Sequence, residues 1–487
     1  MSIYMKPLIA AFPMRLLLGL VILPMTILSV QADEPPQKAS KIIDMTMAIK
    51  AAKLKDPWLV GNKHSQDSVE SLSIAAGSLP DPFISLGINN LAADSLNFGQ
   101  EPMTNARIGI SQMFPAGDSL SIKQRQLELK AGQFPFQRED RRAKITVTVG
   151  SLWLNVYNAQ ESIRIIEKNI PLFEQLVDIA QSSYSTAIGK SRQQDVIRAQ
   201  LELTRLDDHL AILHQRREMF QEQLSEWLNG YFLDKYLKNQ KREDQESGSQ
   251  NIPSAFLLTR KLPDIALLNA QLYTSAAPIE QGLLFSKISG HPALRAIEQK
   301  IKTSQAGIDL AKQKYKPAWG INAGYGYRSS DRLGIGRSDL FSVGVTFSVP
   351  LFTANRQDKQ VLSALSKTSA VKTEKWQFLR KMMASFETAK AQLLRLNERQ
   401  KIFQSRLLPQ MSEQAEASLT AYTNDDGDFA EVMRARIAEM NAEVNALNID
   451  VERQKTILQL NYIFMANADD IIAKDHRAKD HHAGDLK

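Results

Sequence analysis

Three aspartates crowd one glycine late in the chain: Asp425, Asp426 and Asp428 surround Gly427. Carboxylates at this density attract cations, and a ring of them selects cations in channels. Asp and Gly are also ordinary turn residues, and Asp428 is placed to cap a returning helix. The two roles are compatible. His476, His481 and His482 sit among aspartates in the polar tail, where transient metal contact competes with plain solvation. His209 and His214 are five residues apart, a poor helical spacing for shared ligation, and are expected at the surface. The chain has no cysteine, which removes disulfides, thiolate metal sites and cysteine nucleophiles. It also has no His-Glu-x-x-His, phosphate loop or nucleophile elbow. No catalytic residue, cofactor-binding motif or resident metal site is therefore assigned, and an enzyme is not expected.

The acid cluster falls at the tip of a long helical hairpin, and another hairpin precedes it. On the first arm of the earlier one, Ile145, Val149, Leu152, Val156, Ala159, Ile163, Ile166, Ile170, Phe173, Val177 and Ala180 recur at alternating steps of four and three. On its second arm Val196, Ala199, Leu203, Leu206, Leu210, Leu213, Phe220, Leu224 and Trp227 do the same, with only Arg217 off the pattern. This is coiled-coil spacing. An unbroken first arm from Ala116 to Thr186 would be roughly 100 Å long, and the hairpin is expected to break only at Gly189. The later hairpin carries a seam through Met382, Phe386, Ala389, Leu393, Leu396, Phe403 and Leu407, and back through Ile437, Met440, Val444, Leu447 and Val451.

Each hairpin follows a pair of short period-two stretches. Ile84, Leu86 and Ile88, then Ile108 and Ile110, alternate with small or polar residues. Phe341, Val343, Val345, Phe347 and Val349 do so in the later half, after the glycine- and tyrosine-rich run from Ile321 to Tyr327. The halves keep a fixed offset. Asp56-Pro57, Pro82, Ile108-Gly109-Ile110 and Pro115 lie 235 residues before His291-Pro292, Pro317, Val343-Gly344-Val345 and Pro350. Tyr184 and Gly189 lie 238 before Tyr422 and Gly427. A constant offset through helix, strand, loop, strand and hairpin implies internal duplication. Strands with one apolar face suit a membrane barrel, although two hairpins on a soluble core would share that local pattern. Single-chain barrels start at about eight strands, so four would close one only if several chains share it.

Lys6 and Arg15 before the apolar run Leu16 to Leu23, with Val30-Gln31-Ala32 beyond, read as an export signal. No later apolar run is long enough for a spanning helix. The net charge of +7 is a mild excess and does not argue for nucleic acid. The expected divisions are a signal over 1–32, a helical segment over 33–81, the first strand pair over 82–115 and the first hairpin over 116–229. A linker or equatorial region covers 230–290, charge- and Gln-rich over 238–254. A helix over 291–316, the second strand pair over 317–350, the second hairpin over 351–466 and a polar tail over 467–487 complete the chain.

Together these features resemble the TolC-like outer membrane efflux family. The likeness rests on the duplication, on Gln112-Met113-Phe114-Pro115 and Ser348-Val349-Pro350-Leu351-Phe352, and on the Tyr-x4-Gly tips. It rests also on the segments from Asp195 to Gln200 and from Glu431 to Ala435 that follow the tips. Met103-Thr104 through Gly117-Asp118-Ser119-Leu120 looks more like members serving heavy-metal RND pumps. The resemblance implies a mainly α fold with a membrane β-barrel: long antiparallel coiled-coil hairpins plus four transmembrane strands per chain. A homotrimer would then form a twelve-stranded barrel in the Gram-negative outer membrane and a twelve-helix periplasmic tunnel. A periplasmic adaptor and an inner-membrane RND pump are the implied partners, and lipid surrounds the barrel. The duct would be passive, with heavy-metal cations as the leading cargo. Drug efflux or type I protein secretion is the alternative, and a structural coiled-coil surface protein the more distant one. In that frame Asp425, Asp426 and Asp428 would line the periplasmic mouth. Tyr184, Ala187, Ile188, Gly189, Tyr422 and Gly427 would dock the adaptor, or simply close the hairpins with glycine supplying a left-handed turn.

Overall fold

The computed structural model describes residues 41–185, 193–229, 256–273, 277, 279–331, 333–424 and 426–465. The export signal, the 238–254 stretch, the histidine-bearing tail, Ala187, Ile188, Gly189 and Asp425 lie outside them. The chain opens with β1 (Lys41–Ile43), α1 (Met45–Lys55) and α2 (Pro57–Gly77), then β2 (Phe83–Asn89) and β3 (Asn105–Phe114). Next come α3 (Ser119–Ala131), α4 (Phe134–Ser185), α5 (Gln193–Leu228), β4 (Phe256–Leu258), a 3-10 turn and α6 (Gln281–Ile288). The later half holds α7 (Pro292–Gln313), β5 (Trp319–Tyr327), β6 (Leu340–Phe347), α8 (Gln357–Ile402), α9 (Leu408–Thr423) and α10 (Phe429–Phe464).

Helix starts follow local chemistry. Proline at the first helical position needs no hydrogen-bond partner, and the residue before it is biased to extended backbone. Asp56-Pro57 opens α2 in this way, with the Asp56 carboxylate accepting from the Trp58 N–H at 3.2 Å. His291-Pro292 opens α7, and there the imidazole Nδ1 accepts from the Ala293 N–H at 3.2 Å. The first arm is not one rod. It breaks after Ala131, where Gly132 caps α3 and α4 begins two residues later, so the expected unbroken helix is replaced by one of 13 and one of 52 residues. Glycine is a poor helix interior residue, and Pro135 cannot bond back to the preceding turn. The second hairpin carries a π turn, Phe403–Leu407, just before Pro409. It absorbs the donor that proline lacks and shifts the seam, leaving Phe403 and Leu407 half-buried.

The seam residues otherwise meet as their spacing requires. Ile163, Ile166, Phe173, Val177, Ala180, Ala199, Leu206 and Leu213 join Phe429, Val432, Met433 and Met440 in one apolar cluster along α4, α5 and α10. A larger cluster gathers around Trp153, Phe386, Leu224, Leu228 and the last turns of α10. Lys41–Ile43 is a strand, not the start of a helix, and pairs in parallel with Phe256–Leu258. The Trp153 indole N–H holds it by donating to the Ile43 carbonyl at 3.2 Å.

The remaining strands form one antiparallel sheet in the order β2-β3-β5-β6. The two hairpin strand pairs are zipped together by β3 and β5 over nine residue pairs, from Ala106↔Tyr327 to Phe114↔Trp319. Among the described residues, the outer edges of β2 and β6 have no partner strand.

Candidate functional site

Register assigns every strand residue to a face. On one face lie Leu86, Ile108, Tyr325 and Phe341 in one row, and Ile84, Ile110, Ala323 and Val343 in the next. Ile321 with Val345, and Phe114 with Trp319 and Phe347, continue it. Aromatic rings therefore stand at both ends of this face, and Phe114 stacks on Trp319 with centroids 4.1 Å apart. The other face is built mainly of Gly, Ser, Asn and Thr. A soluble sheet would cover the apolar face, yet Leu86 is 78% and Phe341 74% exposed. Burying such a row in hydrocarbon is the ordinary solution for a sheet with no covering layer, and aromatic girdles mark its limits.

The loops at the far end of the sheet from α3 and α8 are tied together. Arg337 donates to the Glu101 carbonyl at 3.0 Å, and Arg328 donates to the Ser338 carbonyl at 2.6 Å and the Pro102 carbonyl at 3.4 Å. Asp339 accepts from the Tyr325 hydroxyl and the Arg328 N–H, which hold its carboxyl below the usual range.

At the opposite end, α9 turns into α10 through 424–428. The Asp426 N–H reaches back to the Ala421 carbonyl at 3.0 Å, wrapping the chain tightly around the helix end. A Cβ on Gly427 would lie 2.6 Å from the Tyr422 nitrogen and 2.9 Å from the Ala421 carbonyl carbon. Close approach, not a left-handed backbone, is thus what requires glycine here. Asp428 caps α10, accepting from the Ala430 N–H at 3.3 Å. Asp426 and Asp428 are both exposed, so the capping role leaves their charge facing solvent. Tyr422 packs edge-on against Phe429, which is buried, with centroids 5.6 Å apart. Tyr184, at the end of α4, is half exposed. One apolar cluster contains Ala180 and Ala199 together with Phe429 and Val432, with Tyr422 packed against it. The structure thereby brings the two hairpin ends side by side.

The expected surface histidines are half-buried. His209 lines a polar cavity of about 660 Å³ with Asn158 and Asn448, whose amides bond to each other at 2.6 Å. The period-3.5 pattern gave no sign of it, because the asparagines sit beside the seam instead of on it. Among the described residues, no group of three or more His, Cys, Asp or Glu could hold a metal ion, and no helix is long and apolar enough to cross a membrane.

Comparison with known proteins agrees with this architecture. Residues 285–463 match the family model described as outer membrane efflux protein. The outer-membrane channel OprN has the same fold, with a TM-score of 0.65 at 14% identity over 87% of this chain and 90% of that one. CusC gives 0.65 at 14%, covering 87% and 93%, and VceC from Vibrio cholerae gives 0.65 at 12%, covering 86% and 95%. No curated protein sequence matches significantly. The family match lies in the later part of the chain, and the fold as a whole is that of these solved channels.

Proposed function

We propose that three copies of this chain close a twelve-stranded barrel, and that the duct so formed exports cargo from a tripartite pump. The observation that carries this reading is the four-stranded sheet with two open edges and an exposed apolar face. Unpaired strand edges are not tolerated in hydrocarbon. Pairing β6 of one copy with β2 of the next satisfies both edges and repeats three-fold. The fixed-offset sequence repeat supports an origin by duplication of one strand-pair-and-hairpin unit. The hairpins leave the sheet on the side of Pro115 and Pro350, so they enter the periplasm together and build a twelve-helix tunnel.

The adjoining hairpin ends are then the periplasmic mouth. Asp425, Asp426 and Asp428 set its charge, while Tyr184, Ala187, Ile188, Gly189, Tyr422 and Gly427 form the surface on which a periplasmic adaptor docks. The inner-membrane pump is of RND type and supplies the energy, since a passive duct needs no nucleotide of its own. Heavy-metal cations are the proposed cargo, on the resemblance of the segment from Met103 to Leu120 and the acidic mouth. Drug or polypeptide cargo is the competing reading, and the spectrum of sensitivities in a deletion strain separates the three.

Because the chain has no native cysteine, cysteines introduced singly along β2 and β6 report on their own pairing. Cysteines placed in β2 and β6 together should crosslink copies into a ladder ending at the trimer, and native mass spectrometry in detergent should give the trimer mass. A stable monomer with free edges would overturn the shared barrel.

A further inference from the structure

Among the residues of β2, β3, β5 and β6, Arg107 is the one charged side chain. It stands on the small, polar face, opposite Gly87 on β2 and Gly326 on β5. Its guanidinium crosses the neighbouring strand and donates to the Ser342 hydroxyl on β6 at 3.2 Å. One strand, β5, lies between the two residues, and the path runs over Gly324. A Cβ there would come within 2.8 Å of Arg107 Nε and 2.9 Å of its terminal nitrogen. The side chain is exposed and forms no ion pair among the described residues, so its charge is not cancelled locally. Ser342 occupies the position 235 residues after Arg107. The two halves of the chain thus present unlike residues at matching places, and only one of them is cationic.

We infer that Arg107 is a selectivity-determining residue of the duct: three copies form a cationic collar on the barrel's inner wall that favours anions over cations at the outward end. This inference rests on the shared-barrel reading. A closed barrel of about twelve strands is roughly 24 Å across at the backbone for strand spacings near 4.8 Å and tilts near 40°. An ion on the axis is then about 8 Å from each guanidinium, close to one Debye length at physiological salt. The wall offers no acidic side chain to offset the three charges. Screened Coulomb attraction at water-like dielectric gives a local anion-over-cation preference of about 5- to 10-fold. The flat lie of the side chain against the glycines leaves the passage open, so the collar biases ions and does not plug it. A cargo reaching the barrel neutral or anionic passes most readily, and a metal ion would leave more easily with its ligands attached.

The test is reversal potential in planar bilayers under a potassium chloride gradient, using full-length protein and the variants Arg107→Lys, Arg107→Gln and Arg107→Glu. With the long tunnel in series, the cation-to-anion permeability ratio should rise at least about two-fold in Arg107→Gln. It should rise further in Arg107→Glu and stay near wild type in Arg107→Lys. Inorganic triphosphate added on the loop side should reduce wild-type conductance and leave Arg107→Gln unaffected. Channels of normal conductance whose selectivity and triphosphate block are the same in Arg107→Glu as in wild type would overturn the collar alone. Wild-type protein that forms no channel would refute the shared barrel, and the collar with it.

Discussion

Replacing Asp56 tests what fastens the N-terminal helices to the first hairpin. Its carboxylate caps α2 and also takes the Arg141 guanidinium in a forked contact, Nε to Oδ2 at 2.7 Å and a terminal nitrogen to Oδ1 at 3.2 Å. The Asp56 side chain is 4% exposed and that of Arg141 32%. The guanidinium lies 5.7 Å from the ring centre of Trp58 and 5.3 Å from that of Trp227. Breaking a buried pair costs about 3–5 kcal/mol. Arg141 can still reach water, so about 2 kcal/mol is the better figure for the pair here. The lost cap adds about 1 kcal/mol. Asp56→Ala should therefore destabilise by about 3 kcal/mol and Asp56→Asn, which keeps a capping oxygen, by about 2. Urea titration of the detergent-solubilised protein, followed by tryptophan fluorescence, reads this directly because two of the indoles flank Arg141. A double-mutant cycle with Arg141→Ala should return a coupling of about 1.5–2 kcal/mol. Coupling below about 0.5 kcal/mol, with Asp56→Asn indistinguishable from wild type, would show that packing of the two tryptophans holds this joint instead.

Other perturbations probe the mouth and the interior. Gly427→Val forces a Cβ against the backbone of Ala421 and Tyr422; hydrogen exchange over 420–430 should accelerate by about ten-fold or more while global unfolding stays within about 1 kcal/mol. Replacing Asp425, Asp426 and Asp428 together with asparagine should lower cation preference and divalent-ion block in single channels, with trimer stability unchanged, since asparagine also caps. His291 is held neutral: Nδ1 accepts from the Ala293 N–H, the other nitrogen donates to the Tyr462 carbonyl, and burial depresses its pKa, with Asp140 pulling the other way and Lys144 reinforcing the drop. An unfolded histidine titrates near about 6.5, so its stabilising effect is present above that pH and is lost as pH falls through it toward the folded value. The melting temperature should therefore drop more between pH 7.5 and 5.5 in wild type than in His291→Asn (both pH values chosen to bracket the free-histidine range, about 6.5).

Periodicity carried most of the helical architecture. A seam of alternating threes and fours can be satisfied only by helices that pair along it, and Ile166, Phe173, Leu206 and Met440 are buried as that logic requires. Breaks were less legible. Gly132 was one glycine in a helix-like run, and the π turn at Phe403–Leu407 depends on how the chain accommodates Pro409 within packed neighbours. The pairing of β1 with β4 was invisible, because three-residue strands have no period to detect and their partners lie more than two hundred residues apart. In the acid cluster, Asp428 as a cap followed from residue type alone. The role of Gly427 did not, since close approach is a property of the fold around it. Arg107 passed unremarked for a similar reason: its significance comes from standing over Gly324, a neighbour that only strand register supplies.

The open edges of the sheet impose an order on biogenesis. In a solitary chain the apolar face and two rows of unpaired amides and carbonyls are exposed at once, which is the signature of an aggregation template. The helical body, with its own buried clusters, can condense before any neighbour arrives. On the shared-barrel reading, the strands cannot reach their final state by a unimolecular route, because their last hydrogen bonds belong to other molecules. Barrel maturation should consequently slow steeply on dilution while helix formation does not. The interval between the two steps is when the chain most needs shielding from its own copies.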